Sequence, residues 1–300
     1  MEGFLAPCGV GVQGKLKQVT GRSPSALNGF ENFVKEIIIV CRVQDVFKAV
    51  VKEVCKKRDG DKDSTLDSSE YDDRKCDDQL IGLLQIERGN ARLCKWIRIA
   101  LNHDDLCARI DVHQSLTDEK QYPILAIVLE SPHIEEFSKE EGGAERKRLE
   151  TPMPALGDTG QNIFSLLPKY INRIDATFEE KDLSRGIGYP DIPSGIYRVL
   201  LINAIQYQCS LGADTNKHRT TVFNKMWEKE EVRENFKERI PFATKVVINA
   251  CTNGGCRPSL REKIQKAIDE RVADDCVKLH AYHPSTWKKC IGIEPDGWDN

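Results

Sequence analysis

Three chemically capable side chains follow short apolar runs of this chain. Glu130 lies in Leu129-Glu130-Ser131-Pro132-His133, Asn203 in Leu201-Ile202-Asn203-Ala204, and His283 in His283-Pro284-Ser285-Thr286-Trp287. A carboxylate and an imidazole exchange protons with a reacting group. A carboxamide offers a hydrogen-bond donor and an acceptor together. A further run ends in Asn249-Ala250-Cys251-Thr252-Asn253. Each residue alone is commonplace, and the chemistry depends on one edge of one sheet carrying them together.

The elements that would place them there are legible as periodicity. Ile124–Leu129, Arg198–Asn203, Lys245–Ala250 and Val277–Tyr282 are apolar runs of strand length without alternation, the pattern of buried parallel strands. Helical spacing over Asn162–Asn172, Thr220–Arg239 and Ser259–Arg271 separates them. The expected fold is α/β: a three-layer α/β/α sandwich on a four-stranded, mainly parallel sheet, plus an N-terminal, mostly helical region. Ligands of such sheets bind beyond the carboxyl ends of the strands, where the three residues stand.

The expected domains are a flexible arm over residues 1–30, the N-terminal helical region over 31–120, and the α/β domain over 121–300. Phe33, Ile37, Val40, Phe47, Val50 and Val54 recur at helical spacing over 31–58, as do Ile81, Leu84, Leu93, Trp96, Ile97 and Leu101 over 80–101. Between them, residues 59–79 form an acidic loop. Asp59, Asp61, Asp63, Thr65, Asp67 and Glu70 match the oxygen-donor positions of a calcium loop. Ser64 replaces the turn glycine, however, and Tyr71 to Asp78 is a poor second helix. A solvated acidic loop is the competing reading, and no metal is assigned.

Composition narrows the class. The chain has 300 residues, 40% hydrophobic and 30% charged, with net charge −3. No run reaches the roughly 18 apolar residues of a membrane span. The first residues, MEGFLAPCGVGVQGK, lack a basic start followed by an apolar core, so neither a signal peptide nor a membrane partner is expected. The 11 cysteines include no CxxC pair, which suits free thiols in a reducing cytoplasm. Acidity overall still allows a locally basic groove for phosphates. No Gly-x-Ser-x-Gly elbow and no GxxxxGK[ST] loop occurs, which removes two common hydrolase classes.

In their order along the chain, Glu-Ser-Pro-His, Leu201-Ile202-Asn203-Ala204 and His283-Pro284-Ser285-Thr286-Trp287 resemble the motifs of the uracil-DNA glycosylase superfamily. That family carries Gly-Gln-Asp-Pro-Tyr-His, Leu-Leu-Leu-Asn-Thr and His-Pro-Ser-Pro-Leu. Asp158-Thr159-Gly160-Gln161-Asn162-Ile163-Phe164 is similar to the start of its following helix. The resemblance covers roughly the last 170 residues, and the His283 motif is its most specific part. It implies a monofunctional DNA glycosylase that needs no cofactor, flips a nucleotide out of the stack and leaves an abasic site. It casts His283 as the group bonding the departing base and Asn203 as the amide reading a pyrimidine edge. Ser285 and Ser210 become phosphate-holding hydroxyls, and Lys288 a flanking phosphate contact. Trp287 stands where the family inserts a leucine into the vacated stack.

Departures from the family pattern bear on the substrate. Ser131 stands at the water-orienting aspartate, so Glu130 becomes the expected activating carboxylate. His133, after Pro132, replaces the tyrosine that excludes 5-substituted bases. Met153, Leu156 and Phe164 are the candidates for the aromatic or apolar stack on the base. The expected partner is therefore DNA containing a modified pyrimidine, such as glucosylated hydroxymethylcytosine of phage DNA removed in antiviral defence. Three rivals stay open: an inactive DNA- or protein-binding member of the fold, a calcium-responsive interaction protein, and an unrelated hydrolase using Glu130 and His283.

Overall fold

The computed structural model describes residues 42–56, 67–87, 90–100, 122–141, 145–148, 152, 155, 158–181, 192–211, 218–252 and 257–288. The chain divides after Arg42, and Val43–Asn300 forms one compact unit. Its elements are helix α1 (42–56), strands β1 (Gln79–Glu87) and β2 (Asn90–Ala100), β3 (Ile124–Leu129), the small hairpin β4 (Ser138–Glu141) and β5 (Glu145–Arg148), and helix α2 (Asp158–Lys181). Then come β6 (Gly195–Asn203), α3 (Arg219–Trp227), α4 (Glu230–Arg239), β7 (Thr244–Asn249), α5 (Leu260–Arg271) and β8 (Val277–His280).

The sheet is six-stranded and mixed, in the order β2-β1-β6-β3-β7-β8. β3 pairs in parallel with β6 and β7, and β7 with β8. β3 has every side chain buried, as a strand covered on both faces requires. Two more strands extend this set. β1 runs antiparallel to β6 on one side and to β2 on the other. The expected four-stranded sheet is thus corrected to six.

The same observation corrects the reading of residues 80–101 as helix, and the sheet begins well before residue 121. Two register shifts, between Leu80 and Gly82 and between Leu83 and Leu84, interrupt the β1–β2 ladder. Each irregularity breaks the two-residue alternation of a strand. The surviving apolar positions then mimic helical spacing. The ladder ends with Glu87 paired to Asn90, and the one sequence signal for a break between the two strands was Gly89, a residue type that punctuates regular elements.

Helix α1 covers part of the expected 31–58 helix, and residues 31–41 lie outside the described residues. It packs through Phe47, fully buried and stacked on Tyr207 at 4.7 Å between ring centroids. The expected Thr220–Arg239 helix is two helices, broken at Lys229 by extended backbone. α5 starts on a capping box in which Ser259 accepts from the Glu262 amide and Glu262 accepts from the Ser259 amide, two otherwise orphaned donors satisfied reciprocally. On one face of the sheet a core gathers Leu125, Ile127, Leu129, Val199, Leu201, Val246 and Ile248, with Ile163 and Leu167 of α2 and Trp287.

No described helix is long and apolar enough to cross a membrane. Asp59, Asp61 and Asp63 lie outside the described residues. Asp67 caps a short 3₁₀ turn, Ser68–Tyr71, by accepting from the Ser69 amide at 2.9 Å, and Glu70 lies within that turn. Among the described residues no group of three His, Cys, Asp or Glu side chains is placed to hold a metal ion.

Candidate functional site

The parallel register brings the strand ends level. Leu129 pairs with Asn203, Val128 with Asn249, and Asn249 with His280. The ladder continues past the strands: the Ala204 amide donates to the Leu129 carbonyl, Ile205 to Glu130, and Ala281 to Asn249, at 2.7, 2.9 and 3.0 Å. Glu130, Asn203, Thr252 and His283 therefore sit on, or just beyond, one edge.

Glu130 is buried, with its carboxylate held from two sides. Oε2 accepts from the Thr252 amide at 2.8 Å and the Thr252 hydroxyl at 2.7 Å. Oε1 pairs with Nη1 of Arg219 at 3.0 Å. A carboxylate has about four lone-pair positions, so one acceptor direction remains on Oε1. Arg219 opens α3 and belongs to no motif, so no sequence signal pointed to it.

His283 is half-buried, and its imidazole lies within the electrostatic reach of Glu130, Arg219 and His133. Burial holds it below the ordinary histidine range. Glu130 pulls it upward, while Arg219 and His133 push it down. Nδ1 lies 2.9 Å from the Ser285 hydroxyl and accepts from the Ser285 amide. A neutral ring accepting at Nδ1 carries its proton on Nε2. Nε2–H is then the donor available to a ligand.

The two strand-end asparagines contrast. Asn249 uses its side chain internally: Nδ2 donates to the Arg261 carbonyl and to Gln265, and Oδ1 accepts from the Cys251 amide. Asn203 is 1% exposed, and neither Nδ2 nor Oδ1 has a hydrogen-bond partner among the described residues. Leaving such a group unpaired costs about 1–3 kcal/mol. Its backbone, in contrast, is clamped. Arg239 of α4 donates from Nη2 to the carbonyls of Asn203 and Ala204 at 2.8 and 3.1 Å. Nη1 of the same guanidinium bonds both oxygens of Asp78 at 2.6 and 2.7 Å. Burial raises the Asp78 carboxyl and Arg239 draws it back.

The loops around this edge are tied down locally. The buried Glu136 carboxylate accepts from the His133 amide at 2.8 Å and the Ala155 amide at 2.7 Å, joining the loop after β3 to the segment before α2. Ala155 has φ of +51°. A Cβ on Gly160 would lie 1.7 Å from the Ala155 carbonyl oxygen, so the first turn of α2 requires glycine there. Asn162 reaches from α2 to the Pro284 carbonyl at 2.9 Å and fixes the His283 loop.

The remaining expected residues divide. Pro132 is buried beside the half-buried His133, and Ser131 lies against the Cys209 thiol. Ser285 and Lys288 are exposed near His283. Trp287 is corrected: it is fully buried, stacked on Tyr170 at 4.7 Å, and its indole donates to the Tyr282 carbonyl at 2.7 Å. An indole so engaged belongs to the core and is not a wedge for a DNA stack. Ser210 is likewise 1% exposed, which does not suit a hydroxyl expected to hold a backbone phosphate. Phe164 is 46% exposed, while Met153 and Leu156 lie outside the described residues. Sequence reasoning missed Arg219, Thr252, Glu136 and the Asp78–Arg239 pair.

No family model, no curated protein and no solved structure matches this chain.

Proposed function

We propose that this protein is a DNA glycosylase that hydrolyses the N-glycosidic bond of an extruded, modified pyrimidine. The observation that carries the reading is the Asn203 amide, buried with both polar ends unpartnered, level with the Glu130 carboxylate and the His283 imidazole. A buried amide in that condition is completed by a ligand with one donor and one acceptor side by side. The 3,4 edge of a pyrimidine has that pattern.

In this reading the bond from the base nitrogen to C1′ breaks with its electron pair leaving on the base. Positive charge develops on the sugar and negative charge on the base. The Glu130 carboxylate stabilises the first, and its remaining acceptor direction takes a proton of the attacking water. The Nε2–H of His283 stabilises the second. Such fixed charges and donors are worth roughly 100- to 1000-fold each when aimed at developing charge. Water oxygen ends on C1′, its proton ends on the base, and an abasic site remains. The three-layer arrangement and a cytoplasmic setting are part of the same proposal.

The Glu130–Arg219 ion pair favours one second reading, a binding member of the same fold in which that carboxylate only pins a loop. One assay separates the two. Purified protein is incubated with duplexes and single strands carrying uracil, 5-hydroxymethyluracil or glucosylated hydroxymethylcytosine, and released base is measured by mass spectrometry. Enzyme action gives free base with an equal number of alkali-labile sites. Retained DNA affinity without either product refutes it.

A further inference from the structure

A second buried amide lies next to Asn203 and belongs to no motif. Gln79, the first residue of β1, is 1% exposed, and neither Nε2 nor Oε1 has a hydrogen-bond partner among the described residues. It pairs directly with Leu201 of β6. Residues directly opposite in an antiparallel pair share a face, and residues two apart on one strand share it too. Gln79, Leu201 and Asn203 therefore stand on the same face of the sheet, with Gln79 and Asn203 as diagonal neighbours. Such positions lie roughly 7–8 Å apart, within reach of long side chains.

Leu201 and Leu129, the pairing partners of Gln79 and Asn203, both belong to the apolar core on this face. The register thus sets two carboxamides on one face of the sheet as diagonal neighbours, each without a hydrogen-bond partner among the described residues. Asp78, one residue earlier, shows the opposite behaviour, with both oxygens bonded to Arg239. Ser131, Asn162 and Ser210 each have one buried polar atom without a partner, but among the described side-chain amides only Gln79 and Asn203 have both ends buried and unpartnered.

We propose that Gln79 is a specificity-determining residue of the same pocket, and that the base it receives carries a hydroxylated substituent at the 5-position. The inference rests on the glycosylase reading and deepens it. A pyrimidine whose 3,4 edge lies on Asn203 has two polar regions left to satisfy, the 2-oxygen and any group at position 5. His283, the donor to the charge on the departing base in that reading, is assigned here to the 2-oxygen. The 5-position adjoins the edge held by Asn203, and the neighbouring amide is Gln79. Unsubstituted uracil leaves Gln79 unpaired, whereas a hydroxymethyl group gives it both a donor and an acceptor. A site built to bond a hydroxyl discriminates against an analogue lacking it far more than an apolar pocket does.

The test uses the full chain, Gln79→Met as the variant closest in shape, and two probes, uracil and 5-hydroxymethyluracil, each as free base and within duplex DNA. Without ligand, Gln79→Met raises the melting temperature by roughly 2–6 °C, because an unpaired buried amide is replaced by apolar surface. A fall of similar size overturns the inference, since Gln79 would then be satisfied within the protein. In wild type, 5-hydroxymethyluracil is preferred over uracil, and Gln79→Met lowers that preference at least about tenfold. An unchanged ratio, with base still released, overturns the inference and leaves the glycosylase reading intact. Gln79-dependent binding of the free modified base with no release from DNA does the reverse. Neither binding nor release refutes both.

Discussion

Removing the Asp78 carboxylate is a demanding test of how the fold holds its site. Asp78 and Arg239 are 2% and 3% exposed, and the guanidinium makes two short bonds to the carboxylate, two to the carbonyls of Asn203 and Ala204, and one to Asn235. Asp78→Ala deletes the only carboxylate bonded to this guanidinium among the described residues and leaves a buried charge. Breaking a buried pair from one side costs about 3–5 kcal/mol, and the burial here places the expected loss in that range without discount for solvent. Against a typical total of about 5–15 kcal/mol, that is roughly a fifth of the stability or more. The assay is a double-mutant cycle in urea with Asp78→Ala, Arg239→Met and the double variant. Each single variant should lose about 3–5 kcal/mol, and the double distinctly less than their sum, because removing both partners leaves no orphan charge. Single losses below about 1 kcal/mol, or strict additivity, would refute the reasoning.

Three further outcomes follow from other contacts. Trp287→Ala should cost about 3–5 kcal/mol in unfolding free energy, because the indole is core and stacked on Tyr170; wild-type stability would return it to the role of a DNA wedge. Gly160→Ala should destabilise by more than about 2 kcal/mol, since its Cβ meets backbone rather than a movable side chain; calorimetry showing an unchanged transition would contradict that. His283 is held below the ordinary value of 6.5 chiefly by burial. The unfolded chain therefore takes the proton first as pH falls below about 6.5, and folding stability declines from there toward the lower folded-state value. Subtracting the stability profile of His283→Gln from that of wild type isolates this slope, and a difference that rises with acidity would reverse the sign.

The parallel strands were legible because each is a short, wholly apolar run: Ile124–Leu129 coincides with β3, and the others lie within a few residues of β6, β7 and β8. α5 was legible from its apolar spacing over Ser259–Arg271. The β1–β2 hairpin was not, because irregular register displaced its alternation. At the site, Glu130, Asn203 and His283 were readable as polar residues ending apolar runs. Their partners were not. Arg219 lies far along the chain from Glu130, and the Arg239 clamp joins a helix end to the residue before β1; only the register brings such positions together. Trp287 was misread because its place in the His-Pro-Ser motif outweighed what its size implies. A large indole next to a helix aromatic is more simply core. Gln79 carried no signal, since a lone glutamine at a strand start reads as solvated.

In the proposed reaction Glu130, Asn203 and His283 act together on one extruded base. Single-turnover release of 5-hydroxymethyluracil from a short duplex, by wild type and by Glu130→Gln, Asn203→Ala and His283→Ala, measures this most directly. Each variant that keeps a wild-type circular dichroism spectrum should release base at least roughly 100-fold more slowly. Wild-type rates in all three would contradict the account.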